Sequence, residues 1–333
     1  MVSVRLKYLS LISSAALVFN GCTPDFQSQS QVIDLRILGI KAEPPEALFN
    51  ASCTDMTKLS TCTVSSVDDM RITALFADPA HPAHPGVISP TLCPPQTNQT
   101  PSNPNCGPGS LELMQQHGAQ DQISFSLQGA LTAADLQQLP ALLIASAQAS
   151  PLMGYGGLQV ELQLGVDTAD PFGVQLGHKT LVFNPRTADG NPNRNHNPSI
   201  TGMKLLDQMG HDLGARAPGE PLLLTLHQEI GLRPVLAAGS IETYQTIDLT
   251  GARVTVRENL AWDFYSTANA DFDKGSASEP LAGVADPLEG LTRFTAIKQA
   301  TGTLWAVVHD GRGGTDWIQI PWTASASADA GTP

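Results

Sequence analysis

The sequence predicts an all-β protein of two β-sandwiches in tandem, and three observations lead to this prediction. Short segments rich in β-branched and aromatic residues, several of them alternating between apolar and polar positions, recur along the chain. Turn-forming residues separate these segments, since the chain holds 29 Gly and 25 Pro. The length of 333 residues suits about two domains, and a hydrophobic content of 41% is enough for two cores.

The first predicted sandwich spans residues 32–187. Residues 79–108 are rich in proline and show almost no apolar periodicity, which predicts a long irregular loop. Thr132 is a favourable N-cap residue, so residues 132–139 are predicted to form a short helix that Pro140 limits. The predicted strands are 32–40, 70–77, 123–127, 158–164 and 179–184, the last two forming a hairpin.

The second predicted sandwich spans residues 199–323. Residues 188–198, nearly all turn formers, predict a linker before it, and the Ala- and Ser-rich segment 324–333 predicts a disordered tail. The predicted strands are 200–204, 221–226, 253–257, 260–265, 303–309 and 316–322, and a tight Gly-rich turn joins the last two into a hairpin.

The starts of the two blocks resemble each other. Segment 37–41 reads Ile-Leu-Gly-Ile-Lys and segment 200–204 reads Ile-Thr-Gly-Met-Lys. Because both blocks also end in a long hairpin, we interpret them as a diverged tandem repeat. The match is only five residues long, so a chance similarity is the alternative.

The N-terminus has the three parts of a secretory signal. Arg5 and Lys7 precede an apolar stretch at 9–19, which is too short to span a membrane as a helix. Small and polar residues follow directly after this stretch. A signal peptide at 1–21 is therefore predicted.

The residue after this predicted signal is a cysteine. Segment 19–22 (Phe-Asn-Gly-Cys) resembles the bacterial lipobox, in which the cysteine is acylated and becomes the mature N-terminus. We therefore predict lipidation at Cys22, followed by a polar tether at 22–31. The residue after the cysteine, Thr23, implies by the same resemblance an outer-membrane destination. An ordinary cleaved signal with a chance cysteine is the alternative.

Four further cysteines remain, an even number that predicts disulfides in an exported chain. They are Cys53, Cys62, Cys93 and Cys106. Local pairing, Cys53 with Cys62 and Cys93 with Cys106, closes short loops and is preferred over crossed pairing. A zinc site is the other alternative, although no Cys-x-x-Cys or Cys/His run supports it.

Two segments resemble the latter half of immunoglobulin-like domains: 262–265 (Trp-Asp-Phe-Tyr) and 305–317 (Trp-Ala-Val-Val-His-Asp-Gly-Arg-Gly-Gly-Thr-Asp-Trp). With the opening segment 33–45, they are similar to outer-membrane lipoproteins of the myxobacterial type. The resemblance implies two immunoglobulin-like β-sandwich domains on a surface-anchored protein with no assigned activity. It supplies no catalytic residue. The long proline-rich loop and the short helix depart from this pattern and are interpreted as insertions into the first domain.

The charge of the chain limits its partners. A formal net charge of −13 gives no electrostatic footprint for nucleic acid. We expect the acidic protein to bind an anionic membrane surface only through its own lipid anchor.

The acidic segment 269–279 is the candidate metal site. Asp271, Asp273 and Glu279 alternate there with a glycine and serines, and Ca²⁺ takes about six to eight hard oxygen ligands. Calcium is thus the one candidate cofactor. Lys274 places a positive charge within this segment, so a solvated loop is the alternative. The linker has a similar claim as a calcium clamp between the domains.

Tryptophans offer a second kind of candidate site. Trp262 and Trp305 are predicted to fill the core of the second sandwich. Trp317 and Trp322 lie on opposite faces of the last strand by parity, so one of them is a candidate contact surface.

No Gly-x-Ser-x-Gly, His-Glu-x-x-His, P-loop or dinucleotide motif occurs in the sequence. We therefore predict a lipid-anchored protein of the outer membrane that acts in binding, adhesion or envelope structure, without catalytic activity. The membrane, through the lipid, and envelope proteins or glycans are the expected partners. An exported hydrolase or a carbohydrate-binding accessory protein is the alternative.

Overall fold

The chain folds mainly into β-sheet, which confirms the predicted all-β class. A computed structural model describes residues 29–52, 64–81, 86–94, 106–118, 121–149, 157–167, 174–187, 193–247, 252–267, 270–280 and 289–326. The signal peptide, Cys22, Cys53, Cys62 and most of the tether and tail lie outside the described residues.

The elements follow one another as strands, two helices and strands again. The first strands are β1 (Gln31–Val32), β2 (Arg36–Glu43), β3 (Glu46–Ala51), β4 (Val64–Val67), β5 (Arg71–Ala77), β6 (Gly86–Cys93), β7 (Leu111–Glu112), β8 (Gln116–Gly118) and β9 (Gln122–Ser126). The helices α1 (Leu127–Ala130) and α2 (Ala133–Ala149) come next, followed by β10 (Leu158–Asp167) and β11 (Gln175–Pro185). The remaining strands are β12 (Ile200–Leu206), β13 (Asp212–Arg216), β14 (Leu222–Thr225), β15 (Glu229–Leu236), β16 (Thr243–Ile247), β17 (Arg253–Arg257), β18 (Ala261–Thr267), β19 (Ala270–Phe272), β20 (Ser276–Ser278), β21 (Thr292–Ala296), β22 (Ala300–His309) and β23 (Thr315–Ser325).

The N-terminal half, β2 to β11, consists of two sheets around one core. One sheet has the order β4-β3-β11-β10-β6-β7, with β8 also paired to β6, and the other has the order β2-β5-β9. Side chains from both sheets, among them Phe49, Ile72 and Phe183, form a single buried cluster. Leu143 of α2 joins it, so the helix closes one side of this core.

The C-terminal half, β12 to β23, repeats this plan. Its sheets have the orders β13-β12-β15-β21-β19 and β1-β18-β22-β23-β14, with β20 also paired to β18. Trp262, Phe294 and Trp322 lie in the core between them. The rings of Phe294 and Trp322 meet edge to face with centroids 5.7 Å apart. Gly302 lies opposite Trp322 on β22, and a Cβ there would come within 2.7 Å of the indole, so only glycine leaves room for this ring.

The two halves share one strand order. The order β2-β5-β9 corresponds to β12-β15-β21, and β3-β11-β10-β6 corresponds to β14-β23-β22-β18. In each half a short strand pairs in parallel with the last strand, β3 with β11 and β14 with β23. The first strands, β2 and β12, also carry a register shift at the same point, just before Gly39 and just before Gly202. The five-residue sequence match is thus part of a longer structural correspondence.

A third apolar cluster joins the halves. It contains Val32, Leu38, Leu75, Ala77, Trp305 and Val307, with Tyr265 and Trp317 packed against it. Trp305 was expected in the core of the second sandwich, and this prediction is wrong. Alternation along β22 turns Leu304, Ala306 and Val308 into that core and therefore turns Trp305 towards the N-terminal half. Burial at the junction raises the pKa of Tyr265 to about 12.

The strand predicted at 32–40 is split between two sheets. β1 pairs in parallel with β18 of the C-terminal half, whereas β2 pairs with β5 of the N-terminal half. The chain therefore crosses from one half to the other at residues 33–35.

The predicted short helix is longer than expected. Thr132 caps α2, accepting a hydrogen bond from the backbone nitrogen of Asp135 at 3.2 Å, as its sequence position predicts. However, the helix continues through Pro140 to Ala149. The interior proline costs one helical hydrogen bond, which the burial of Leu142 and Leu143 on the far side of it offsets.

The predicted irregular loop at 79–108 contains a strand, β6, paired to β10 on one side and to β7 and β8 on the other. Pro90 lies within it. The Pro90 carbonyl accepts a hydrogen bond from the backbone nitrogen of Leu113, so it points to the side of β6 on which β7 and β8 lie. The proline nitrogen points to the same side. At this position β6 pairs with neither strand, because β8 pairs with residues before Pro90 and β7 with residues after it. The backbone nitrogen at this position therefore has no neighbouring strand to donate to, and proline, which has no N–H, is tolerated there. The predicted disulfide between Cys93 and Cys106 is confirmed and ties the end of β6 to the segment before β7.

The opposite faces of β23 give a direct stability prediction. Trp322→Ala leaves a cavity in a closed core and is expected to cost roughly 3–5 kcal/mol of unfolding free energy. Trp317→Ala, at the partly exposed junction, should cost clearly less. Equilibrium urea unfolding of both variants measures the difference, and an equal or larger loss for Trp317→Ala would contradict the face assignment.

Candidate ligand-binding cleft

A cleft of about 1210 Å³ opens between the two halves. The start of β2 and the length of β11 form its wall on the N-terminal side. The β16–β17 hairpin and the turn at 309–315 between β22 and β23 form its wall on the C-terminal side. Residues 193–194, from the segment predicted as a linker, also line it. Both halves are therefore needed to make the cleft.

Arg312 connects the two halves at this cleft. Its Nη1 donates to Oε1 of Glu258 at 2.9 Å and lies 3.3 Å from Oε2 of Glu242. Its Nη2 donates to the carbonyl oxygen of Asn193 at 2.7 Å and lies 3.5 Å from Oε1 of Glu46 on β3. One guanidinium therefore pairs with carboxylates from both halves, as its planar fork of donors allows.

The β16–β17 hairpin is fastened at its base by the same residue. The backbone nitrogen of Glu242 donates to Oε2 of Glu258 at 2.9 Å, and the nitrogen of Glu258 donates to the carbonyl of Glu242 at 2.9 Å. The guanidinium of Arg312 lies over the Tyr244 ring at 4.0 Å from its centroid. The hairpin pairs with no other described strand, so these contacts at its base fix its position beside the cleft.

Asp310 shapes the turn that carries Arg312. Its Oδ1 accepts from the backbone nitrogens of Arg312 at 2.7 Å and Gly314 at 2.8 Å. Its Oδ2 accepts from the side-chain amide of Asn195 at 2.8 Å, and Asn195 is fully buried. The side-chain amide of Asn197 donates to the carbonyl oxygen of Ala42 in the N-terminal half at 2.8 Å. The predicted linker is thus built into the structure from residue 193 onwards, because its asparagine amides bind groups of both halves.

Burial sets the charge properties of the Arg312 cluster. Burial raises the pKa of Glu46, against the opposing effect of a hydrogen bond from the Asn195 backbone and of the Arg312 charge. Burial likewise raises the pKa of Glu258, against the hydrogen bonds from Glu242 and Arg312. Each carboxylate would be costly to bury alone, so the cluster depends on the cation at its centre.

Lys179 reaches across the cleft from β11. Its Nζ donates to the carbonyl of Gly313 at 2.6 Å and to Oγ1 of Thr315 at 2.7 Å. Burial lowers the pKa of Lys179 to about 8, while the charge of Asp310 acts in the opposite direction. Lys179 is therefore a second polar link between the halves.

The three candidate calcium ligands do not form a metal site among the described residues, and two of them, Asp273 and Glu279, bind other protein groups. Oδ1 of Asp273 accepts from the Thr292 hydroxyl at 2.9 Å and from the Arg293 nitrogen at 2.7 Å. Glu279 pairs with Arg257 at 2.6 Å. Asp271 lies in β19, within a segment predicted to be a loop. In the part of the chain that the structure describes, no group of three or more His, Cys, Asp or Glu residues is placed to hold a metal.

The two candidate contact tryptophans lie on opposite faces of β23, as parity predicts. Trp322 is only 1% exposed and cannot form an external surface. Trp317 packs against the junction cluster. The prediction of a contact surface is wrong for Trp322, because the inward face of β23 is covered by the second sheet.

Two segments that line the cleft, the glycine-rich turn and the Asn-rich segment, are recognisable in the sequence, but their partners are not. The run Asp310-Gly-Arg312-Gly-Gly predicts a hairpin turn, and the Asn-rich segment predicts a linker. An arginine inside a glycine turn, and amides concentrated in a turn segment, are the features that could have drawn attention to both. Their partners, Glu46 and Glu258, are too distant in sequence to be assigned from pattern alone.

No protein family model matches the chain, and no curated protein matches it. Solved structures that match share little sequence. A protein of unknown function from Porphyromonas gingivalis W83 is 10% identical, over 85% of this chain and 99% of that one, with a TM-score of 0.18. Fibronectin(III)-like modules of Clostridium thermocellum CbhA are 7% identical, over 80% of this chain and 90% of that one, with a TM-score of 0.20. Neither match supports a functional conclusion. Among the described residues no helix is long and apolar enough to cross a membrane.

Arg312→Met tests the role of the cluster. At neutral pH it leaves buried carboxylates without their cation and is expected to cost about 3 kcal/mol of unfolding free energy. Without the guanidinium, the folded-state pKa values of Glu46 and Glu258 rise further above their unfolded values. The folded state then binds more protons, so the loss should shrink as the pH falls from 7 towards 4.5.

Urea unfolding at several pH values measures this dependence. Arg257→Met removes an exposed pair with Glu279 and is the matched control, expected to have a small effect at every pH. A loss for Arg312→Met that is negligible, or that grows towards pH 4.5, would contradict the assigned role.

Proposed function

We propose that the protein is a lipid-anchored, non-catalytic binding protein of the bacterial outer membrane whose binding site is the cleft between its halves. The observation that carries this proposal is the cleft itself, whose walls come from both halves. Buried polar links at Arg312 and Lys179, together with the apolar junction, hold these walls in place. A preformed site loses little conformational entropy when a ligand binds, which favours a binding role.

The proposal includes two immunoglobulin-like domains in tandem, at residues 32–187 and 199–323. The matching strand orders, the matching parallel pairs and the matching register shifts support it. In this view the domains are diverged copies of one module. From residue 193 onwards, the segment between them is a structural element rather than a free linker.

Lipidation at Cys22 would place the cleft close to the membrane. Seven residue steps separate Cys22 from Gln29, and at full extension they span no more than about 25 Å. The carbonyl of Gln29 accepts a hydrogen bond from Arg36, which lines the cleft. The cleft would therefore meet components of the envelope near the membrane surface.

A glycan bound through exposed tryptophans finds no support, since Trp322 is in the core and Trp317 is at the junction. A glycan ligand would instead contact the cleft, where amide and hydroxyl side chains such as Gln175, Thr180 and Gln245 are available.

One experiment tests both the anchor and the site. The protein with Cys22→Ser should move from the membrane fraction to the soluble fraction, because the acyl anchor is lost. When mixed with isolated envelope fragments, this soluble form should be retained on them. Thr180→Trp, which places a bulky ring in the cleft, should reduce retention at least fivefold.

Thr323→Trp is the matched control, since Thr323 is an exposed strand residue away from the cleft lining. Membrane association that persists in Cys22→Ser would overturn the anchor. Retention that is equal in Thr180→Trp and Thr323→Trp would overturn the cleft as the binding site.

A further inference from the structure

We infer that the cleft takes an acidic oligosaccharide, one whose sugar rings carry carboxylate groups. This inference rests on the proposed function, because it assigns a ligand class to the same cleft.

The cleft is basic although the protein is acidic. Its lining contains five basic side chains against two acidic ones: Arg36, Lys179, Arg194, Arg253 and Arg312 against Asp34 and Glu46. The whole chain has a formal net charge of −13. A concave surface of opposite sign to the rest of the molecule concentrates the field in the cleft and favours an anionic ligand there.

The acidic lining residues do little to cancel this charge. Glu46 is buried, accepts a hydrogen bond from the Asn184 side-chain amide at 3.0 Å and lies beside Arg312. Asp34 is exposed to solvent, which screens its charge. Arg312 is itself neutralised by its glutamates, so the ligand would meet the other bases.

Three arginines from different parts of the cleft have donors to spare. Arg253 on β17 is exposed, and none of the described residues accepts a hydrogen bond from its side chain. Arg194 donates from Nη2 to the carbonyl of Glu46 at 2.9 Å, and its buried Nε has no partner among the described residues. Arg36 contributes one further guanidinium, from β2. Guanidinium groups from three segments suit a ligand with several separated carboxylates.

The neutral lining indicates a sugar rather than a peptide. Gln159, Gln175, Thr180, Gln245 and Thr246 supply amides and hydroxyls, which hydrogen-bond to sugar hydroxyl groups. Leu38 and Ile40, two of the apolar lining residues, are buried in protein clusters, whereas Leu176 is exposed in the lining. The cleft therefore offers little apolar surface to the side chains of a peptide, and its exposed groups are mainly amides, hydroxyls and bases.

The size of the cleft agrees with an oligomer. Its volume of about 1210 Å³ exceeds the roughly 300–1,000 Å³ of pockets for drug-sized ligands. Lys179 also benefits from such a ligand, since an anion nearby would offset the cost of burying its ammonium group.

Calorimetric titration of the purified protein tests the inference with three probes. They are tetragalacturonate, the same oligosaccharide with its carboxylates methyl-esterified, and a tetraglutamate peptide. The ester keeps the rings and removes the charges. Tetragalacturonate is expected to bind at least tenfold more tightly than the ester and the peptide, and its affinity should fall as NaCl is raised, as ionic contacts require.

Two variants localise the interaction. Arg253→Gln should weaken tetragalacturonate binding by about five- to tenfold, the size of a lost charge-assisted contact, and leave binding of the ester unchanged. Arg71→Gln is the matched control. Arg71 is an exposed strand arginine outside the cleft, so affinity should stay within about twofold.

The outcomes separate the ligand class from the binding function. Equal binding of acid and ester, or an unchanged affinity in Arg253→Gln, would overturn the acidic ligand. Tighter binding of tetraglutamate would replace the sugar with an acidic peptide. If no probe binds while envelope fragments still retain the protein through the cleft, the ligand class is wrong and the proposed function stands. If retention also fails, both are wrong.

Discussion

The pairing of the Arg312 guanidinium with glutamates from both halves is the interaction on which the rest of the structure depends. Glu46 and Glu258 are 6% and 3% exposed. Without the cation, the free-energy cost of removing each carboxylate from water would not be compensated. Arg312 compensates both and also holds the hairpin through Glu242 and Tyr244. It thereby fixes three parts of the cleft with one side chain: the start of β3 in the N-terminal half, the segment at residue 193 and the hairpin.

The apolar junction makes this polar cluster possible. Alternation along β22 gives one face to the core of the C-terminal half and the other to the junction, where Trp305 and Val307 meet Leu38 and Leu75. The strand thus serves two interfaces at once. Its last residues lead into the turn that carries Asp310 and Arg312. The same strand that brings the halves together therefore also aims the arginine at the glutamates of both.

The sequence predicted six of the twelve strands described in the C-terminal half, namely β12, β14, β17, β18, β22 and β23, because alternation and tight glycine turns are local signals. It failed where tertiary contacts override local preference. Pro140 suggested the end of a helix, yet the burial of Leu142 and Leu143 carries the helix onward. Pro90 suggested a loop, yet it lies in a gap of the ladder where no donor is needed. For the cleft, local patterns indicated only a turn and a linker, since their partners come from remote strands. Acidic residues close in sequence suggested a metal site, whereas the side chains of Asp273 and Glu279 bind separate protein groups.

The central claim is that the two halves behave as one body because the junction and the Arg312 cluster join them. Differential scanning calorimetry of the purified protein tests it most directly. The account predicts a single transition in which the calorimetric and van't Hoff enthalpies agree, as expected for cooperative unfolding of one unit. Two separate transitions, each with its own midpoint at neutral pH, would show that the halves unfold independently and would contradict the account.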